Sequence, residues 1–129
     1  MAGRREGNMK IAYVAGPYRA STHYTIELNI RVAESIAIEL WQMGFAVICP
    51  HKNSAHFDGL CRDDIWLAGD LEIISRLNPR EDCLVLIPGW ERSSGAAAEY
   101  DFAREQGLKV FWWPEDKDKL CQFVWEREG

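Results

Sequence analysis

Cys83-Leu84-Val85-Leu86-Ile87-Pro88-Gly89-Trp90-Glu91-Arg92-Ser93-Ser94-Gly95-Ala96-Ala97-Ala98-Glu99 is the stretch that decides the fold. Its apolar opening run reads as a buried strand, which Pro88-Gly89 ends. A helical pattern over 94–106 follows, Gly107 stops it, and 108–113 supplies the next strand. A strand, a crossover helix and a strand make a parallel unit.

The same alternation extends to both sides. Residues 10–15 read as a first strand ending at Gly16-Pro17. Residues 25–43 read as a helix with Ile26, Ile30, Ala33, Ala37 and Leu40 on its inner face, closed by Gly44. A strand over 45–49, a polar loop over 50–61 and a helix over 63–77 come next, and 118–127 makes a last helix. The expected fold is a single-domain α/β, doubly wound parallel sheet: a flavodoxin-like (Rossmann-like) three-layer sandwich with strand order 2-1-3-4. Residues 9–129 read as one domain, and 1–8 as a disordered leader or an expression remnant.

Composition narrows the function. The chain has 129 residues, 47% of them hydrophobic, enough for one core. Its net charge of −5 disfavours a nucleic-acid polymer as partner, although a few local arginines and helix N-termini can still hold a small anion. The four cysteines have no metal-ligand spacing, and Cys49 and Cys83 sit in apolar runs typical of buried thiols. The histidines His23, His51 and His56 read as solvated loop residues, so no metal and no cofactor is expected. Neither a signal peptide nor a membrane-spanning run is present, and a cytoplasmic setting is expected.

The candidate chemistry lies where the strand order reverses, between strands one and three. Wound at ~100° per residue, the 94–106 run puts Glu99 between Phe102 and Ala103, opposite Asp101 and Arg104. A carboxylate on a buried face is costly unless chemistry needs it. A capping box would place it at 96 or 97, where alanines stand. The helix dipole is expected to favour its ionised form, as suits a nucleophile. Asp70 repeats the anomaly between Ile74 and Leu77, with Asp63 seven residues earlier on the same line; Asp63 or Asp64 also suits a helix cap. Two such carboxylates are the equipment of glycoside chemistry.

Further candidates surround this pair. Tyr13 shares a strand face with Ile11 and Ala15 and is a candidate partner for Glu99. Ser93, Ser94 and Gly95 open a helix and form an anion-binding turn, unless Ser94 is only its cap. Arg19 and Arg92 can add phosphate contacts, and Trp90, Trp66 or Tyr18 can stack a base.

Tyr13-Val14-Ala15-Gly16-Pro17-Tyr18-Arg19, Asp70-Leu71-Glu72 and Ser93-Ser94-Gly95-Ala96-Ala97-Ala98-Glu99 together resemble the nucleoside 2-deoxyribosyltransferase superfamily. The likeness is nearest to its 2′-deoxynucleoside 5′-monophosphate N-hydrolases and their uncharacterised phage and bacterial relatives. It implies that Glu99 attacks C1′ of the sugar, that Tyr13 orients Glu99, and that Asp70 lies near the sugar or base. It implies a 5′-phosphate held by Ser93, Gly95 and Arg19, and a homodimer or higher homo-oligomer. Transferases of the superfamily often complete the site with an Asn-bearing tail from a neighbouring subunit, and Phe123-Val124-Trp125-Glu126-Arg127 offers no Asn. The expected activity is hydrolysis of the base–sugar bond of a (deoxy)nucleoside 5′-monophosphate through a glycosyl-Glu99 intermediate. Base exchange by a deoxyribosyltransferase and a non-catalytic nucleotide-sensing domain are the alternatives.

Overall fold

The strands β1 (Ile11–Ala15), β2 (Ala46–Ile48), β3 (Cys83–Leu86) and β4 (Lys109–Trp112) pair in parallel in the order β2-β1-β3-β4. The computed structural model describes residues 9–127; the expectation for 1–8 lies outside the described residues. The helices are α1 (His23–Met43), α2 (Pro50–Asn53), α3 (Asp63–Ser75), α4 (Ser94–Glu105) and α5 (Lys117–Phe123). This is the expected α/β sandwich in three layers.

Side-chain alternation along the strands divides the core. Ala12, Val14, Cys83 and Val85 face Ala33, Ile36 and Leu40 of α1 and Leu120 and Phe123 of α5. Tyr13, Ala15, Leu84 and Leu86 point the other way, toward Ile74 of α3 and Ala103 of α4. All four residues of β3 are buried, as a strand covered on both faces must be.

The element ends differ in places from the sequence reading, each for a local reason. The Thr22 hydroxyl accepts from the Thr25 N–H at 3.1 Å, so α1 starts two residues before Thr25. Pro50 opens the short helix α2 within the expected 50–61 loop, its fixed φ suiting a first helical position. Asp63 is the first residue of α3 and follows Arg62, which has no side-chain cap bond. Asp63 and Asp64 therefore act through the dipole of the first turn and not as caps. Helix α5 ends at Phe123, short of the expected 127. Cys83 is buried as expected, whereas Cys49 is only partly so. Among the described residues no helix is long and apolar enough to cross a membrane.

The register places the site. Ala15 is level with Leu86, and the Ile87 N–H donates to the Ala15 carbonyl at 3.0 Å. The chain therefore leaves β1 and β3 side by side, with Gly16 against Ile87. A Cβ at position 16 would lie 2.2 Å from Cγ1 of Ile87, nearer than any real contact. We expect Gly16→Ala to destabilise the fold by about 1–3 kcal/mol through overpacking, measured as a lower midpoint in urea with an unchanged slope; in an Ile87→Ala background the same Gly16→Ala change should cost less.

Candidate active site

A cavity of about 600 Å³ opens beyond the carboxyl ends of β1 and β3, at the point where the strand order reverses. The segment 16–20 after β1 lines it, as do Gly89 and Arg92–Ala96 after β3. One face of α3 contributes Asp63, Trp66, Leu67 and Asp70, and α4 contributes Glu99. The two loops touch: a Cβ on Gly89 would lie 3.1 Å from Cγ of Pro17.

Glu99 is the centre of this cavity's chemistry. Ala96, Glu99 and Ala103 form the buried stripe of α4, and Glu99 is only 6% exposed. The Tyr13 hydroxyl, fully buried in the central strand, donates to Oε2 of Glu99 at 2.6 Å. Asp70 reaches across from α3 and is hydrogen-bonded to the same carboxyl group. Burial pushes Glu99 up to about 8; the Tyr13 hydrogen bond pulls the other way, and the charge of Asp70 adds to the rise. Burial likewise pushes Asp70 up to about 6, against the opposing bond from Glu99. Burial and the two nearby carboxylates drive the Tyr13 phenol far above its ordinary range, so it stays a donor. Two carboxyl groups in contact cannot both ionise cheaply, and near neutral pH the pair holds one proton.

The dipole expectation for Glu99 is corrected here. Helix α4 begins at Ser94, so Glu99 lies in its second turn, where the terminal field has faded and burial dominates.

The anion turn is present, with a shifted cap. Ser93, not Ser94, caps α4 by accepting from the Ala96 N–H at 3.2 Å. Ser94 is the exposed first helical residue. Packing does not require glycine at 95, since an added Cβ meets nothing nearer than Oγ of Ser93 at 4.0 Å. The bare first turn leaves its N–H groups approachable from the cavity.

Two candidates are placed differently from expectation. Arg19 lines the cavity, but its guanidinium is held by Asp58 at 3.2 Å and Asp63 at 2.5 Å. A phosphate there would compete with two carboxylates, whereas Arg92 has no ion pair among the described residues and sits beside the turn. Trp90 is not part of the cavity wall. Its ring packs on Tyr100 with centroids 4.9 Å apart, in the core cluster beneath α4. The aromatic cavity residues are Tyr18, Phe57 and Trp66.

His51 and Asn29 also line the cavity. The solvated-loop reading of His51 is overturned: it lies in α2, is 4% exposed, and burial lowers its proton affinity. The signal was its position directly after the second strand, at the ligand-facing edge of such a sheet. Asn29 interrupts the inner face of α1 between Ile26 and Ala33, the same anomaly that marks Asp70.

The buried dyad has a consequence for stability. A carboxyl group whose folded-state pKa is raised contributes stability that is complete below about pH 4.5 and is lost as pH rises through about 8. Glutamine at 99 does not titrate, can accept from Tyr13, and can donate to Asp70. Glu99→Gln should therefore match wild type near pH 4 and exceed it at pH 8 by on the order of 2–4 kcal/mol. Melting curves at both pH values check this; equal melting points at pH 8 would rule out the strained dyad.

No curated protein matches the sequence. One family model does, over residues 9–112, a span that takes in the whole sheet and every residue lining the cavity. The chain belongs to that family, described as a domain of unknown function (DUF4406).

Proposed function

We propose that this protein is an N-glycosidase that hydrolyses the base–sugar bond of a nucleoside 5′-monophosphate. One observation carries the reading: a buried carboxyl group, Glu99, held by a tyrosine hydroxyl at 2.6 Å and coupled to Asp70, at the ligand-binding edge of the sheet. The likeness to the nucleoside 2-deoxyribosyltransferase superfamily supports it, because the residues quoted for that likeness include these three.

The singly protonated dyad has the right composition for the reaction. The shared proton rests mainly on Glu99, the more strongly raised of the two; once it moves to Asp70, the Glu99 carboxylate attacks C1′. The C1′–O bond forms as the C1′–N bond breaks, and the bond's electron pair leaves with the base nitrogen, which Asp70 protonates. Asp70, now a carboxylate, takes a proton from water as that water attacks C1′ and releases Glu99. Tyr13 keeps one oxygen of Glu99 fixed, leaving the other to attack. Arg92 and the N–H groups at the start of α4 hold the 5′-phosphate, and the cavity volume of about 600 Å³ accommodates a mononucleotide. We further propose a cytoplasmic setting, where the four cysteines stay free, and a homodimer or higher homo-oligomer.

Chromatography of free base released from a panel of nucleosides and 5′-monophosphates tests the reading. Glu99→Gln should lower kcat by about 10³-fold or more, and adding a foreign base should give no exchanged nucleotide. An exchanged product would mean a transferase; binding without base release from any substrate would mean a sensing domain.

The rate should follow a bell in pH. Below about 6 both carboxyl groups are protonated and Glu99 is no nucleophile; above about 8 both are ionised and the leaving base finds no proton. In Tyr13→Phe the lost hydrogen bond should shift the alkaline limb upward, with kcat falling about 10–100-fold. A flat profile between pH 5 and 9 would exclude the dyad from catalysis.

A further inference from the structure

Helix α1 carries a second stripe, on the side turned away from the sheet. Its inner residues Ile30, Ala33, Ile36, Ala37 and Leu40 are buried, whereas Tyr24, Leu28, Arg31, Ser35, Ile38 and Gln42 are exposed. The spacing of this outer set alternates four and three residues, which on a helix makes one straight seam of the kind that packs against another helix. Val32 and Trp41 flank it, and Tyr24, Leu28, Val32, Ile38 and Trp41 are each at least 45% exposed. Single exposed apolar side chains are ordinary, but five on one helix face are not. Lys52 of α2 reaches Glu34 on one side of the seam at 2.7 Å, and Lys117 of α5 reaches Glu39 on the other at 3.1 Å. These ties hold its two edges and leave the stripe between them open among the described residues.

The order of residues along the seam identifies its occupant. Apolar and polar positions are arranged evenly about residue 33: Leu28 and Ile38 lie five residues to either side, Arg31 and Ser35 two, Tyr24 and Gln42 nine. Turned end over end, the stripe therefore offers apolar to apolar and polar to polar. An antiparallel copy about a two-fold axis sets Leu28 against the partner's Ile38, Arg31 against the partner's Ser35, and Val32 beside the partner's Val32 near the axis. The charges agree as well. Arg31 pairs with Glu34 of its own helix at 3.2 Å, and both lie close to the axis, so the two pairs meet with opposite signs adjacent. Glu27, Glu34 and Glu39 along the edges disfavour an anionic membrane surface as the occupant.

We propose that the outer face of α1 is a homodimer interface, in which two copies of the helix pack antiparallel about a two-fold axis level with residue 33. The proposal does not rest on the N-glycosidase reading: the seam faces outward, and the α1 residues that line the cavity are Thr25 and Asn29, which lie off it. One helix pair is at the small end of specific interfaces, so the association is reversible and depends on concentration.

Sedimentation of the full chain should show a concentration-dependent dimer. Leu28→Glu places a charge in the apolar contact and should raise the dimer Kd about 30-fold or more, with far-UV circular dichroism unchanged because Leu28 is exposed in the single copy. Cross-linking reads the register separately, in a Cys61→Ser/Cys121→Ser background that removes the two exposed thiols. A short bis-maleimide should join Val32→Cys to its own copy. It should not join Tyr24→Cys, whose two copies stand about 27 Å apart in the antiparallel pair. A monomer at every concentration reached, an association state unchanged by Leu28→Glu, or no cross-link through Val32→Cys would overturn the proposal. Should Leu28→Glu fail to fold, the Val32→Cys and Tyr24→Cys cross-links decide alone.

Discussion

The hydrogen bond from Tyr13 to Glu99 ties the central strand to the helix that carries the carboxyl group. It needs β1 beside β3, because only then does the face of β1 that carries Tyr13 look toward α4. It needs alanine at 96 and 103, because bulkier side chains on the same stripe would hold α4 away from the sheet. It also explains how so buried a carboxyl group is tolerated. The phenol supplies a partner without a second charge, while Asp70 shares a proton and keeps the pair from ionising twice.

A second buried carboxylate shows what a purely structural role looks like. Asp82 is 5% exposed and accepts from the backbone N–H of Ile11 and of Asn78, each at 2.8 Å. Both of its oxygens are satisfied by amides that have no other use, and it pins the start of β1 to the turn before β3. Among the described residues Glu99 has no backbone donors of this kind: its partners are a phenol and another acid, and both Glu99 and Asp70 line a cavity. The difference between the two is thus one of partners and of access, not of depth.

The sheet was legible because Gly16, Gly44, Gly107 and the apolar runs punctuate the chain at each crossover, and a doubly wound sheet follows from that alternation. Glu99 and Asp70 were legible because a charge on an apolar helical stripe violates the period that defines the helix. Trp90 was misplaced because an aromatic residue beside a loop gives no sign of which side it packs on; Tyr100, one helical turn past Ala96, captures it. The ion pairs of Arg19 were not legible for a related reason: its partners Asp58 and Asp63 lie about forty residues away in sequence, and an ion pair between loops leaves no periodic trace.

His51 and Asn29 expose a deeper limit of reading from residue types. Both were visible as polar residues, yet the hydrogen bonds left to each depend on which of its own atoms is already engaged. That is decided by the carbonyl groups of Pro17 and Tyr18, which belong to every residue alike and so leave no mark in the sequence. The segment after β1 brings no group to the chemistry at Glu99. Gly16 is held there by Ile87, Pro17 orients the imidazole, Tyr18 orients the amide, and Arg19 joins the segment to Asp58 and Asp63. A backbone held against Ile87 at Gly16 thereby fixes the hydrogen-bonding polarity of two cavity side chains. Changing Pro17 or Tyr18 to another residue that keeps the same path would preserve that polarity, while altering the path would lose it without touching any polar side chain.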